Sequence, residues 1–106
     1  MCRDAVILED IRNAGGLVIE FVEGLDQATF LSDLKSQSAV IHQLLVMGEA
    51  VKRLSHEYRT AHQEIPWKLL AGMRDKLIHA YDSIDIDQVW QTAKHEIPTI
   101  MERMNQ

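Results

Sequence analysis

Cysteine is nearly absent: Cys2 is the only one among the 106 residues, so no internal disulfide can form and packing alone must hold the fold. The opening stretch, residues 1–10, also lacks the long apolar core of a secretory signal, which makes the reducing cytoplasm the expected address. Long hydrophobic runs are missing as well. The most apolar one, Ala39 to Val51, is interrupted by His42, Gln43 and Glu49 and falls short of the roughly 18 apolar residues of a membrane span. Positive charge is scarce: 11 Lys and Arg against 16 Asp and Glu leave a formal charge of −5. That balance opposes non-specific attraction to a polyanion, so any nucleic-acid role needs a local basic patch. Lys52 with Arg53, and Lys68 with Arg74 and Lys76, are the candidates, and on composition alone they read as ordinary solvated helix faces. No segment sustains the apolar/polar alternation of a half-buried strand, which leaves an all-α fold.

What is present suits a folded domain: 46% hydrophobic and 25% charged residues are globular values. Residues 1–106 fit one domain with one modest core. A core this small gains from association through an apolar face, so a homodimer is expected.

Helical periodicity marks four main segments. The first runs from about Asp4, a plausible N-cap, to Gly24, with Ile7, Ile11, Leu17, Val18, Phe21 and Val22 recurring near helical spacing. Gly15-Gly16 is its weak point, where the helix must bend or another helix must pack closely. Asp26 caps a short helix to about Ser32. A long central helix then carries Leu34, Val40, Leu44, Met47, Val51 and Leu54 to about Arg59. Pro66 suits the first turn of a helix that holds Trp67, Leu69, Leu70, Met73, Leu77 and Ile78 and runs out near Tyr81. Asp85 caps the last helix, with a kink or restart near Ile97 forced by Pro98. The sum is a four-helix up-and-down bundle with a short extra helix.

The chemistry-bearing stretch is Met73 to Tyr81. Arg74 and Tyr81, seven positions apart, share a helix face, whereas His79 lies five positions on, about 140° round and about 7.5 Å along the axis. One helix does not converge the three. A shared site needs the helix to unwind near His79, or a second copy of the motif from another subunit. Arg forks onto phosphate oxygens and His moves a proton near neutral pH, so the trio suits a phosphodiester. By spacing alone the commoner explanation is solvation, since cations sit well at a helix C-terminus.

Arg-x-x-x-x-His-x-Tyr, here Arg74, His79 and Tyr81, resembles the signature of HepT-like toxins in the HEPN superfamily of helical ribonucleases. The resemblance extends over nearly the whole chain, through residues 7–11, Met47 to Val51, Ile65-Pro66-Trp67, Gly72-Met73-Arg74, Val89-Trp90 and Ile97-Pro98. It implies a dimerising HEPN-like bundle in which motifs from two subunits face one cleft. It further implies a metal-independent endoribonuclease without cofactor, the toxin of a type VII-like toxin–antitoxin pair. His79 would be the acid/base and Arg74 the phosphate clamp for attack of a 2′-hydroxyl on the adjacent phosphate. Tyr81 would be the acceptor of AMP from a cognate minimal nucleotidyltransferase antitoxin. The position after the arginine is often Asn in the family and here is Asp75, a carboxylate able to orient His79 but repulsive to phosphate. The alternative is a non-catalytic helical accessory subunit of a nucleotidyltransferase.

Other residues carry two readings each. Glu49 either pairs with Arg74 and lines the cleft or sits on an exposed helix edge. Trp67 and Trp90 could stack bases, but at helical spacing they are expected in the core. His56 and His62, six apart and about 120° round a helix, are poorly placed to share a metal; His42 and His95 are isolated, and no required metal is expected.

Overall fold

The computed structural model describes residues 3–105, with Tyr81 by its backbone alone, and every regular element among them is helical. Cys2 lies outside the described residues. Helix α1 spans Arg3–Val22 and is followed by the short α2 (Gln27–Leu31), the long α3 (Leu34–Arg53) and the short α4 (His56–Ala61). Helix α5 is Trp67–His79. After a 3₁₀ turn, Tyr81–Ser83, the chain re-enters α6 (Ile86–Gln91), passes through a π-helical turn, Thr92–Glu96, and ends in α7 (Ile97–Met104). α3 packs on both α1 and α5, and α1 meets α7 on its other side, giving the four-rod bundle read from the sequence.

The core follows the periodicity. Ile11 and Val18 of α1 and Val40, Leu44, Met47 and Val51 of α3 are shut off from solvent, as are Ile97 and Ile100 behind α1. Each such side chain contributes roughly 1.5–3 kcal/mol when removed from water, which outweighs the helix propensity of any one segment. Both tryptophans belong to this core: Trp90 packs on Phe30 at 5.3 Å between ring centres, and the Trp67 indole N–H donates to the His62 carbonyl at 3.0 Å. The Lys94 ammonium lies 5.5 Å from the centre of the Trp90 ring and donates to the Val22 carbonyl at 3.3 Å, one of the orphan acceptors at the end of α1.

Two expectations change. The central helix stops at Arg53 instead of Arg59, because Leu54 and Ser55 adopt extended backbone and Ser55 caps the separate α4 by accepting from the Tyr58 N–H. Asp4 does not serve as an N-cap: it lies in the first turn of α1, and its carboxylate accepts from the Ser55 N–H at 3.0 Å and the Ser55 hydroxyl at 2.6 Å. One carboxylate thereby pins the α3–α4 break to the start of α1. At the glycine pair the second of the two readings holds: α1 continues without a break and α7 packs closely against it. Gly15 is buried where a Cβ would run into the Met101 side chain, while Gly16 faces open space. Pro98 is accommodated just after the start of α7 by the wide turn ahead of it, in which Ile97 N–H reaches back to the Thr92 carbonyl.

Two glycine variants test this packing. Gly16→Ala, in a helix interior with nothing within 4 Å of the new Cβ, should stabilise by about 0.5–1 kcal/mol. Gly48→Ala, whose Cβ would meet backbone and the base of a neighbouring side chain, should destabilise by about 1–3 kcal/mol. Thermal unfolding of both reads the two opposite signs. Asp4 supplies a third prediction: its serine hydrogen bonds hold its carboxyl below the ordinary 3.8, so their stabilisation is present above about that pH and lost as pH falls through the lowered folded value. The melting-temperature gap between wild type and Asp4→Asn should be widest near neutrality and close in acid.

Candidate functional site

The site starts with a missing side chain. Gly48 on α3 faces α5, where the position of an added Cβ would lie 2.8 Å from the Leu70 carbonyl oxygen and run into the Arg74 Cβ. Only glycine lets the two helices approach this closely. The approach seats the stem of Arg74 against α3, and Met47 and Val51 on either side of Gly48 are buried beneath it.

Arg74 emerges from this seat into a chain of opposite charges. Its Nε donates to Glu49 Oε2 at 2.9 Å and its Nη1 to Asp75 Oδ1 at 3.0 Å. The same Asp75 oxygen accepts from Lys52 Nζ at 2.6 Å. Glu49 thus combines both of its readings, more than half exposed yet paired with the arginine. Asp75 turns to the two cations, so it is not the group that orients His79. The remaining guanidinium N–H donors of Arg74 have no protein acceptor among the described residues, and Arg74 lines a shallow groove.

His79 occupies the exposed last turn of α5, and its ring makes no hydrogen bond or ion pair among the described residues. The helix runs unbroken through it and ends one residue later, where the Ala80 N–H still reaches the Lys76 carbonyl. Of the two ways to converge the motif, local unwinding at His79 is therefore ruled out, and Arg74 and His79 of one chain stay about 140° apart round the axis. Tyr81 opens the 3₁₀ turn past the helix end, so the shared face expected for it and Arg74 does not extend that far.

Two adjoining hollows fill the surface between these points. One, of about 430 Å³, is lined by Leu45, Val46, Glu49, Arg74 and Ile78; the other, of about 420 Å³, by Ile41, Leu45, Asp82 and Ile84. His42 lines both. Sequence reading set it aside as isolated, although it lies seven positions before Glu49 and so on the same face of α3. The groove is largely apolar, and Ile78 within it is 44% exposed. The other histidines lie elsewhere: His62 stacks on Tyr58 and pairs with Glu64, and His56 bonds to Thr60.

Comparison with known proteins decides the family. Residues 11–106 match the family described as ribonuclease HepT-like. The chain belongs to that family. Within it, the chain is 45% identical over 93 residues to a Thermococcus cleftensis protein named Probable ribonuclease HepT, covering 88% of this chain and 84% of the relative. It is also 45% identical over 93 residues to a Methanocaldococcus jannaschii protein proposed by name as an RNase, with 88% and 80% covered. A Caldanaerobacter subterraneus relative, likewise proposed by name as an RNase, shares 38% over 99 residues, with 93% and 88% covered. No solved structure matches the chain.

In this HepT-like chain the electrostatics of the motif are set by the four-membered charge row. Lys52 first, and Arg74 second, hold the Asp75 carboxyl below its usual value, while Asp75 and then Glu49 raise the already high basicity of Arg74. The sign follows from the depressed carboxyl: the row is intact above about 3.8, the ordinary value, and dissolves only as pH falls through the lower folded value. Carbon-detected NMR titration should show Asp75 titrating below a free aspartate, and Lys52→Met should move it back upward. An unchanged Asp75 titration in Lys52→Met would contradict the geometry.

Proposed function

We propose that this chain is a metal-independent endoribonuclease, the toxin of a toxin–antitoxin pair, acting as a homodimer. The observation that carries the reading is Arg74 itself. It is an anchored guanidinium with donors left over, open to a groove, in a chain of a ribonuclease family. A phosphodiester entering the groove would take those donors as a bidentate clamp, replacing the shared attention of Glu49 and Asp75. The 2′-hydroxyl attacks the adjacent phosphorus, the 5′-oxygen of the next nucleotide leaves, and a 2′,3′-cyclic phosphate forms. His79 moves the proton in this step, a role that calls for an exposed imidazole free of structural hydrogen bonds.

Dimerisation is supported by the same geometry. An unbroken α5 keeps Arg74 and His79 of one chain apart, and a second copy against the apolar groove of Ile41, Leu45, Val46 and Ile78 would bring His79 of one chain towards Arg74 of the other. Tyr81 is the proposed point of control: a partner nucleotidyltransferase joins its phenolic oxygen to the α-phosphorus of ATP and releases pyrophosphate. The position past the end of α5 favours access by a second enzyme. An added phosphodiester there places negative charge beside the groove meant for RNA.

The test is cleavage of end-labelled RNA by unmodified, partner-free protein in excess EDTA. Wild type should leave 2′,3′-cyclic ends, and His79→Ala and Arg74→Ala should each lose about 10²-fold or more. No cleavage across a broad RNA panel would turn the reading to a non-catalytic partner of a nucleotidyltransferase. Glu49→Gln, which removes a competitor for Arg74 while keeping the shape, should lower KM for RNA several-fold with little change in kcat. Leu45→Glu should convert the dimer to monomer in sedimentation and abolish cleavage together.

A further inference from the structure

A second concavity, larger than the Arg74 groove, lies apart from it. It lies between α4 and the first turn of α5, encloses about 530 Å³, and is lined by His56, Arg59, Thr60, Gln63, Trp67 and Lys68. Lys68 precedes Arg74 by six positions on α5, about 9 Å along the axis and about 120° round, so the two hollows open on different faces.

Its cations are unspent. Of the other basic side chains, Arg12 pairs with Glu9, Lys52 and Arg74 with Asp75, Arg53 with Asp10, and Lys94 and Arg103 with backbone carbonyls, while Arg3, Lys35 and Lys76 are exposed and line neither hollow. Among the described residues Arg59 and Lys68 make no ion pair, and Arg59 makes no side-chain hydrogen bond either. The Arg59 Nε is buried with no acceptor in reach, an uncommon expense for a folded protein. Glu57 and Glu64 belong to the same stretch but neither lines the hollow, and Glu64 pairs with His62. Hydroxyl, amide and imidazole groups from Thr60, Gln63 and His56 complete a wall rich in donors. α5 also begins here, adding the positive end of a thirteen-residue helix.

We propose that this hollow is a phosphate site for a nucleotide, with Arg59 and Lys68 as its charged ligands. The phosphate has two possible sources, a phosphodiester of bound RNA or a free mononucleotide. The first rests on the ribonuclease reading and the second does not. In the RNA case the site would supply anchoring charge that the neutralised row round Arg74 lacks, holding the strand at a second point away from the scissile bond.

The experiment is amide and side-chain ¹H–¹⁵N NMR of the full chain carrying His79→Ala, titrated separately with inorganic phosphate, AMP, adenosine and a short single-stranded RNA. Phosphate and AMP should shift the Arg59 Nε–H, the Trp67 indole N–H and the Lys68 amide, and adenosine should not. Lys68→Gln, a change at an exposed position, should weaken binding about tenfold and leave the rest of the spectrum in place. Arg59→Gln should do the same, its fold checked by the undisturbed resonances of α1 and α3. Response to RNA but not to AMP assigns the site to the strand, and response to AMP assigns it to a free nucleotide. Equal response to adenosine, or none at these three groups with any probe, overturns the proposal. Shifts here without any round Arg74 would retain this site and count against the ribonuclease reading, and the reverse pattern would do the opposite.

Discussion

Everything in the motif region depends on the contact between Gly48 and the base of Arg74. A hydrogen in place of a methyl group brings α5 onto α3 at a separation that no other residue permits, and from that separation follow the seat of the arginine stem, the reach of Nε to Glu49 and the reach of Lys52 to Asp75. The hydrophobic contacts below, around Met47 and Val51, are non-directional and would tolerate small shifts. The hydrogen bonds above them would not, since they weaken steeply with distance and angle. The core therefore supplies the energy of the crossing, and one glycine sets its register.

The charge row on top of that crossing explains how a chain of net charge −5 can keep an arginine ready for an anion. Two carboxylates hold the guanidinium in place and half-neutralise it, and a lysine restrains one of them. Side chains this exposed are screened by salt and add little to stability, so the row is better understood as positioning than as a fastening. An incoming phosphate would exchange one set of oxygen acceptors for another at an arginine already fixed by packing, with less conformational freedom to lose than a free side chain would have.

Much of this was legible in the sequence because it is local. The helical rods follow from periodicity, Asp26 and Asp85 each cap the helix that follows, and the buried tryptophans fall at core spacing. What escaped is decided at long range. Ser55, two residues past Arg53, is a local cap for α4, but Asp4, fifty-one positions away, holds that serine in place, and a long-range partner of this kind carries no periodic signal. Gly15 marks a close approach whose partner, Met101, the sequence does not name, and Asp75 reads as a partner for His79 until Lys52 is seen across the helix pair. His42 matches no motif, and only the packing of α3 beside α5 and the turn that follows puts it in a groove. The arginine–histidine spacing, by contrast, contained its own geometric conclusion, and the unbroken α5 leaves that conclusion standing.

That unbroken helix also has a consequence for dose. Where a reaction needs both Arg74 and His79 and one chain cannot bring them together, competent sites arise from encounters between chains. Their number then rises with the square of the concentration while most chains are single. Under the proposed dimeric mechanism, doubling a sparse population of chains would raise the number of competent sites about fourfold. A length of rigid helix between two side chains would then make activity rise more steeply than the amount of protein present.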